Sequence, residues 1–325
     1  MTNHKTAFGT WAARGRTASV IAGLGAALLF ATPVLADTLT YIIPFPAGGE
    51  SDVTARLQEP ALKKLSGKDV VIQYMPGAGG AKAWSSLNKQ KADGSVVMGD
   101  NLPHIFLQPM QKNVGYKTDD LVHIAIFQMT PDAIIVPADS PFKTLGDLIA
   151  AAKKNPGGIT LSGSGTNTGP HLSATTFNKL AGIKTTYVPF GGTAPSVVAM
   201  LGHQVNAAMT FTTVAAQQGD KVRVLAVALE KRAETLPNVP TFRELGINMV
   251  SGVYRGVVVP KAMPEAKRKE LSDLFAKVNK DPAYRKKMIA GGFQILDIDY
   301  AHAAAFLAQK KKEYEAAARN VGLLK

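Results

Sequence analysis

Pro44-Phe45-Pro46-Ala47-Gly48-Gly49-Glu50-Ser51-Asp52 follows a short apolar run, Thr38 to Ile43, and precedes a helical pattern from about Val53 to Leu65. It reads as a strand, a glycine-rich loop and a helix start, with Ser51 or Asp52 as the capping residue. Three further stretches repeat this grammar: Met75-Pro76-Gly77-Ala78-Gly79-Gly80, Ser162-Gly163-Ser164-Gly165-Thr166-Asn167-Thr168-Gly169-Pro170, and Pro189-Phe190-Gly191-Gly192-Thr193-Ala194-Pro195. Each aims unpaired backbone N–H groups, at the positive end of a helix, toward one point. Such a point attracts an anion. Two loops lie in the first third of the chain and two beyond its middle, which predicts two walls of a cleft.

Between the loops the pattern is α/β. Val70 to Tyr74, Ser95 to Gly99, Leu121 to Gln128 and Ala133 to Val136 read as strands, and Ala81 to Lys91 as a helix. The register restarts after Pro137, with helices at 145–154, 171–181 and 194–201 and strands at 158–161, 185–188, 207–211 and 222–228. Gly252 to Val259 is strand-like and the remainder helical, at 264–278, 282–290 and 300–320. The rhythm predicts a mainly parallel sheet covered by helices. Crossings near Ala138 and Gly252 divide the mature chain into one domain of residues 37–137 plus 253–325 and a second of 138–252, joined by a hinge.

Residues 1–36 read as a cleaved export signal: Lys5, Arg14 and Arg16 precede an apolar stretch from Ala18 to Ala31, and Val34-Leu35-Ala36 is a small-x-Ala cleavage site. That apolar stretch is short for a membrane span of roughly 20 residues. The mature chain has 289 residues and no cysteine, so core packing rather than disulfides must hold it. Removing the leader, with its three basic residues and no acid, lowers the net charge from +13 to about +10. The fourteen basic residues from Lys261 onward are interspersed with eight acids and lack aromatic interleaving, a solvated helix surface and not a nucleic-acid stripe.

Enzyme signatures are missing. Gly163-x-Gly165-x-x-x-Gly169 is one residue longer than a dinucleotide fingerprint, and no Gly-Lys-Ser/Thr P-loop exists. Ser86-Leu87-Asn88-Lys89 has Ser-x-x-Lys spacing but neither companion motif, there is no Gly-x-Ser-x-Gly elbow, and the six histidines lack metal-ligand spacing. No catalytic residue, metal or cofactor is expected.

The order Pro44-Phe45-Pro46-Ala47-Gly48-Gly49 with Asp52, Ala55 and Arg56, then Met75 to Gly80, Gly163-Ser164-Gly165 with His171-Leu172, Val188-Pro189-Phe190 with Ala194-Pro195, and Leu236-Pro237-Asn238-Val239-Pro240-Thr241 resembles the periplasmic substrate-binding proteins of tripartite tricarboxylate transporters, the TctC-like or Bug receptors. The resemblance covers essentially the whole mature chain. It implies two α/β domains of the type II periplasmic-binding-protein, or Venus-flytrap, architecture, a monomer closing on a small organic carboxylate and delivering it to an integral membrane permease, without nucleic acid. A receptor presenting the same ligand to a membrane sensor kinase is the alternative. It also implies a carboxylate gripped by main-chain amides and ordered waters. None of the four loops contains Arg or Lys.

The expected ligand-binding set is Phe45, Ala47, Gly48, Gly49, Ser51, Gly79, Gly80, Ser164, Gly165, Thr166, Phe190, Gly192, Thr193 and Thr210. Ser164 and Thr166 fit ligand donors, though their turn also suits a simple helix cap with Thr168. Asp52 is expected to hold the first loop rigid, and His171 to bond a loop carbonyl more than a ligand. Phe45, Phe190 and Phe211 suit cleft walls or core equally. Trp84 reads as a helix-packing residue. The sequence departs from the family pattern at Glu50, Lys82, Gly191 and Thr210; facing the cleft, Lys82 would offer a cation to a second carboxylate, and the loss of an acid at Thr210 would disfavour an amino-acid ligand.

Overall fold

The structure is a computed structural model and describes residues 37–325; the expected export signal lies outside the described residues. In chain order the elements are β1 (Thr38–Ile43), α1 (Glu50–Ser66), β2 (Asp69–Tyr74), α2 (Ala81–Trp84), β3 (Val96–Leu102), α3 (His104–Gln111) and β4 (Val122–Pro137). There follow α4 (Leu145–Lys154), β5 (Thr160–Gly163), α5 (Gly169–Ala181), β6 (Thr186–Pro189), α6 (Thr193–Leu201), β7 (Ala207–Phe211), α7 (Thr213–Gln218) and β8 (Val222–Val227). The chain ends with β9 (Gly252–Val259), α8 (Glu265–Lys280), α9 (Pro282–Ala290), β10 (Gln294–Asp299) and α10 (Tyr300–Asn320).

The expected α/β fold is present, but its sheet is not mainly parallel throughout. β1 pairs in parallel with β2 and β3, and β5 with β6 and β7. Between these parallel ends lie antiparallel β9 and β4, giving the order β2-β1-β3-β9-β4-β7-β5-β6, with β10 and β8 also on β4. The two strands predicted at 121–128 and 133–136 are one strand. Met129 to Asp132 looked like a break because Pro131 lacks a donor, yet the ladder runs through it: Pro131 pairs with Gly252, and Asp132 N donates to Ser251 O at 3.1 Å.

β4 therefore serves two sheets. Its first part pairs with β9 and β10, and its second part, from Asp132, with β7 and β8. Alternation then builds a core on each face. Around β1, β3 and β9, Tyr41, Val97 and Val257 join Leu62 and Phe275 on one side, while Ile42, Met98 and Val258 join Trp84 and Phe106 on the other. Along β4, Ile134 and Val136 pack with Phe177 and Phe242, and Ala133 and Ile135 with Val197 and Met200. The last helices cover the first pair of cores, through Phe275, Val278 and Met288 on one face and Phe306 and Tyr314 on the other.

Strand β10, in a stretch expected to hold only helices, and helix α7 were not expected; local chemistry explains two further departures. The helix predicted over 81–91 stops at Trp84, because the Ser85 and Ser86 hydroxyls donate back to the carbonyls of Lys82 and Ala83 at 2.9 and 2.7 Å. Helix α3 was missed, since Pro103 and Pro109 bracket and interrupt its eight residues. Among the described residues no helix is long and apolar enough to cross a membrane.

Candidate functional site

The four loops converge. A Cβ added to Gly49 would lie 3.9 Å from Ala194 N, and one on Gly192 would lie 2.9 Å from Pro46 Cδ, so the first and fourth loops are in contact. One added to Gly165 would lie 3.6 Å from Gly79 Cα and 3.6 Å from Phe190 O, joining the second, third and fourth. Gln108 reinforces the second junction by donating to Thr166 O at 2.9 Å and Asn167 O at 3.2 Å. Glycine is demanded at Gly79 and Gly80 by positive φ and by crowding, since any side chain would overlap Gln108 or the Trp84 ring.

At this convergence lies a recess with about 10 Å³ of free space, roughly one water. Of the expected site residues, Phe45, Gly49, Ser51, Ser164 and Thr193 line it. Hydrogen bonding along α1 begins with Val53 N to Gly49 O, and along α6 with Ser196 N to Gly192 O, so the preceding N–H groups of both helices have no intrahelical acceptor. The recess thus lies at two helix N-termini that come from different sheets.

The other expected residues do not line the recess. Ala47 and Gly48 are exposed, and the Gly48 N–H already donates to Asp52 Oδ2 at 2.7 Å. Asp52 holds the loop, as its side chain also accepts from Tyr74 Oη at 2.7 Å and pairs with Arg56 at 2.9 Å. It does so from the first turn, and the N-cap is Gly49, not Ser51 or Asp52. Gly79 and Gly165 form the junction between loops, and Gly80 packs on the Trp84 ring. Thr166 is exposed and contributes its carbonyl to Gln108. Phe190 is half-buried, with its N–H on Gly163 O at 2.8 Å, and Gly192 packs on Pro46.

Thr210 is buried in β7 outside the recess lining; its neighbour Phe211 lines it. Lys82 is exposed beside Gly77, away from the recess. Trp84 is buried, donates to Gly99 O at 3.0 Å and meets Phe45 edge-on. His171 packs on Tyr187 and accepts from Asn167 N at 3.2 Å. Burial of its ring lowers its pKa.

The remaining lining comes from Glu50, Asn101, His104, Phe211 and Arg255, and no loop signature announced Asn101, His104 or Arg255. One signal was available: Arg255 is a charge inside the apolar strand Val253-Tyr254-Arg255-Gly256-Val257. The loops lack Arg and Lys, but the recess does not. Arg255 Nη1 is 3.1 Å from Glu50 Oε2 and donates to Thr130 Oγ1 at 2.8 Å, while Thr130 Oγ1 donates to Glu50 Oε2 at 3.1 Å. The guanidinium also lies 5.0 Å over the Phe211 ring. Burial raises the Glu50 carboxyl, against the pull of Arg255. Burial and Arg255 push His104 down to about 3, so the ring is neutral. Asp132, where β4 changes sheets, is pushed up to about 6 by burial despite accepting from Ser173 Oγ at 2.6 Å.

An α/β fold of this topology, with helix N-termini from two sheets meeting at one recess, is the fold of periplasmic binding proteins. The profile of the "Tripartite tricarboxylate transporter family receptor" matches residues 53–323, and the chain belongs to that family. A UPF0065 protein from the gbd 5' region of Cupriavidus necator is 30% identical over 96% of this chain and 97% of its own. Among solved structures, the periplasmic binding protein BugD is 27% identical, with a TM-score of 0.83 over 89% of this chain and 98% of its own. An R. palustris protein solved with adipate has the same fold at 23% identity, with a TM-score of 0.83 over 88% of this chain and 97% of its own.

Proposed function

We propose that this protein is an exported periplasmic receptor that captures a small organic carboxylate between two lobes and delivers it to a tripartite-type membrane permease. The observation that carries the reading is the recess itself, where the N-termini of α1 and α6 and the Ser164 turn meet from two sheets. Amide donors at helix N-termini suit a carboxylate, each bond to a charged acceptor contributing about 1.5–3 kcal/mol. Gly49, Ser51, Ser164 and Thr193 are the proposed grip, with Phe45 and Phe211 as apolar walls.

The lobes follow the division expected near Ala138 and Gly252, except that residues 132–137, which pair with β7 and β8, go with the second lobe; the hinge lies where β4 changes sheets at Thr130–Asp132 and where the chain returns at Ser251–Gly252. About 10 Å³ of free space admits no organic acid, so a ligand enters only when the walls part. Re-closing around the bound acid then favours the liganded form, and a membrane partner reads that surface. In a thermal-shift screen at neutral pH, at least one mono- or dicarboxylate raises the melting temperature in proportion to the logarithm of its concentration. Stabilisation by nucleotides or sugars alone would sink the reading.

A further inference from the structure

Loop amides account for one end of a ligand, but the recess holds a second kind of chemistry. Glu50, His104 and Arg255 line it, are all but fully buried, and each carries a polar atom with no hydrogen-bonding partner in the protein: Glu50 Oε1, His104 Nδ1 and Arg255 Nε. Arg255 Nη1 and Glu50 Oε2 are occupied by each other and by Thr130. Buried polar atoms are rarely left unanswered. Glu50 Oε1 requires a donor and Arg255 Nε–H an acceptor. A hydroxyl is both at once.

Charge excludes the alternatives. A second carboxylate would approach Glu50, while Asp100 and Asp132 already share the field of the single guanidinium. An ammonium would approach Arg255, whose field together with burial keeps the adjoining His104 uncharged. Only a neutral polar group is free of both penalties.

We infer that the ligand is a hydroxylated monocarboxylic acid, its carboxylate on the loop amides and its hydroxyl donating to Glu50 Oε1 while accepting from Arg255 Nε. The inference rests on the carboxylate reading above, and the test separates the two. Titration calorimetry on the purified protein uses matched sets: butyrate, its 2-, 3- and 4-hydroxy derivatives, 3-aminobutyrate and succinate, with parallel sets built on hexanoate and benzoate. At least one hydroxy acid binds about tenfold or more tighter than its unsubstituted, amino and second-carboxylate counterparts, since a site built for a hydroxyl rejects analogues lacking it.

In Glu50→Gln the guanidinium loses its ion-pair partner and the site one negative charge, and the dicarboxylate gains at least tenfold relative to the hydroxy acid. If that variant fails to fold, the native series decides alone. Carboxylates that bind with no hydroxyl preference, as when a resident water answers the three buried atoms, overturn the inference and leave the receptor reading standing; so does an unchanged ratio in folded Glu50→Gln. If none of these acids binds, the inference falls and the receptor reading is decided by the wider carboxylate screen.

Discussion

Gly192→Ala places a wedge where the fourth loop meets the first. The new Cβ would lie 2.9 Å from Pro46 Cδ, 3.5 Å from Pro46 Cγ and 3.8 Å from Phe45 Cδ1. Carbon atoms prefer about 3.5–4.0 Å, so the seam must give by roughly 0.6–1 Å. Gly192 has φ 166, an extended conformation open to alanine, and the effect is therefore steric alone. Overpacking of this kind costs about 1–3 kcal/mol.

Where that cost appears depends on whether the seam opens. If the two loops belong to lobes that part, the open protein escapes the clash, and only the closed, ligand-holding form bears it. Affinity then falls roughly 5- to 150-fold while the ligand-free melting temperature stays put. Calorimetric titration with a stabilising carboxylate, paired with melting curves without ligand, reads both quantities. Gly191→Ala is the control, since a Cβ there meets nothing within 4 Å. A ligand-free melting temperature lowered by several degrees, with affinity unchanged within twofold, would refute the reasoning and make the seam permanent core.

Three further outcomes are expected. Gln108→Ala removes the donor to Thr166 O and Asn167 O, and weakens ligand binding roughly 5- to 100-fold, measurable in the same titration. Phe177→Ala empties a fully buried site 5.7 Å from the Phe242 centroid, and should cost about 3–5 kcal/mol in denaturant unfolding. The pH dependence of stability has two opposed parts. His104, ordinarily 6.5 and about 3 when folded, stays neutral while the unfolded chain takes a proton, so stability falls by about 1.4 kcal/mol per pH unit from 6.5 toward 3. Asp132, ordinarily 3.8 and about 6 when folded, takes its proton first in the native state, so its contribution rises as pH falls from 6 to 3.8. His104→Gln should remove the fall, and Asp132→Asn should stabilise more at pH 8 than at pH 4, by about 3 kcal/mol. Parallel pH profiles for the parent and Asp132→Asn would contradict that assignment.

Much of the fold is written locally. Capping and turn chemistry act within a few residues, so the glycine-rich loops and the helices they start stand out in the chain. The antiparallel placement of β4 and β9 does not, because pairing direction is set by which strands lie side by side. A different cause, proline, hid α3 and made the single strand β4 read as two.

The candidate site divides along that line. The placing of Phe45, Gly49, Ser51, Ser164 and Thr193 at one recess was legible because each stands in a loop that leads into a helix start. Asn101, His104 and Arg255 were not, because only folding brings the end of β3, the start of α3 and the middle of β9 against Glu50. The sequence by itself determined that this chain is an α/β receptor with amide-lined turns suited to an anion. Tertiary structure alone decided that an arginine stands among those turns, already answered by a glutamate. Coulombic partnership depends on distance through space, and Glu50 and Arg255 are about two hundred residues apart along the chain.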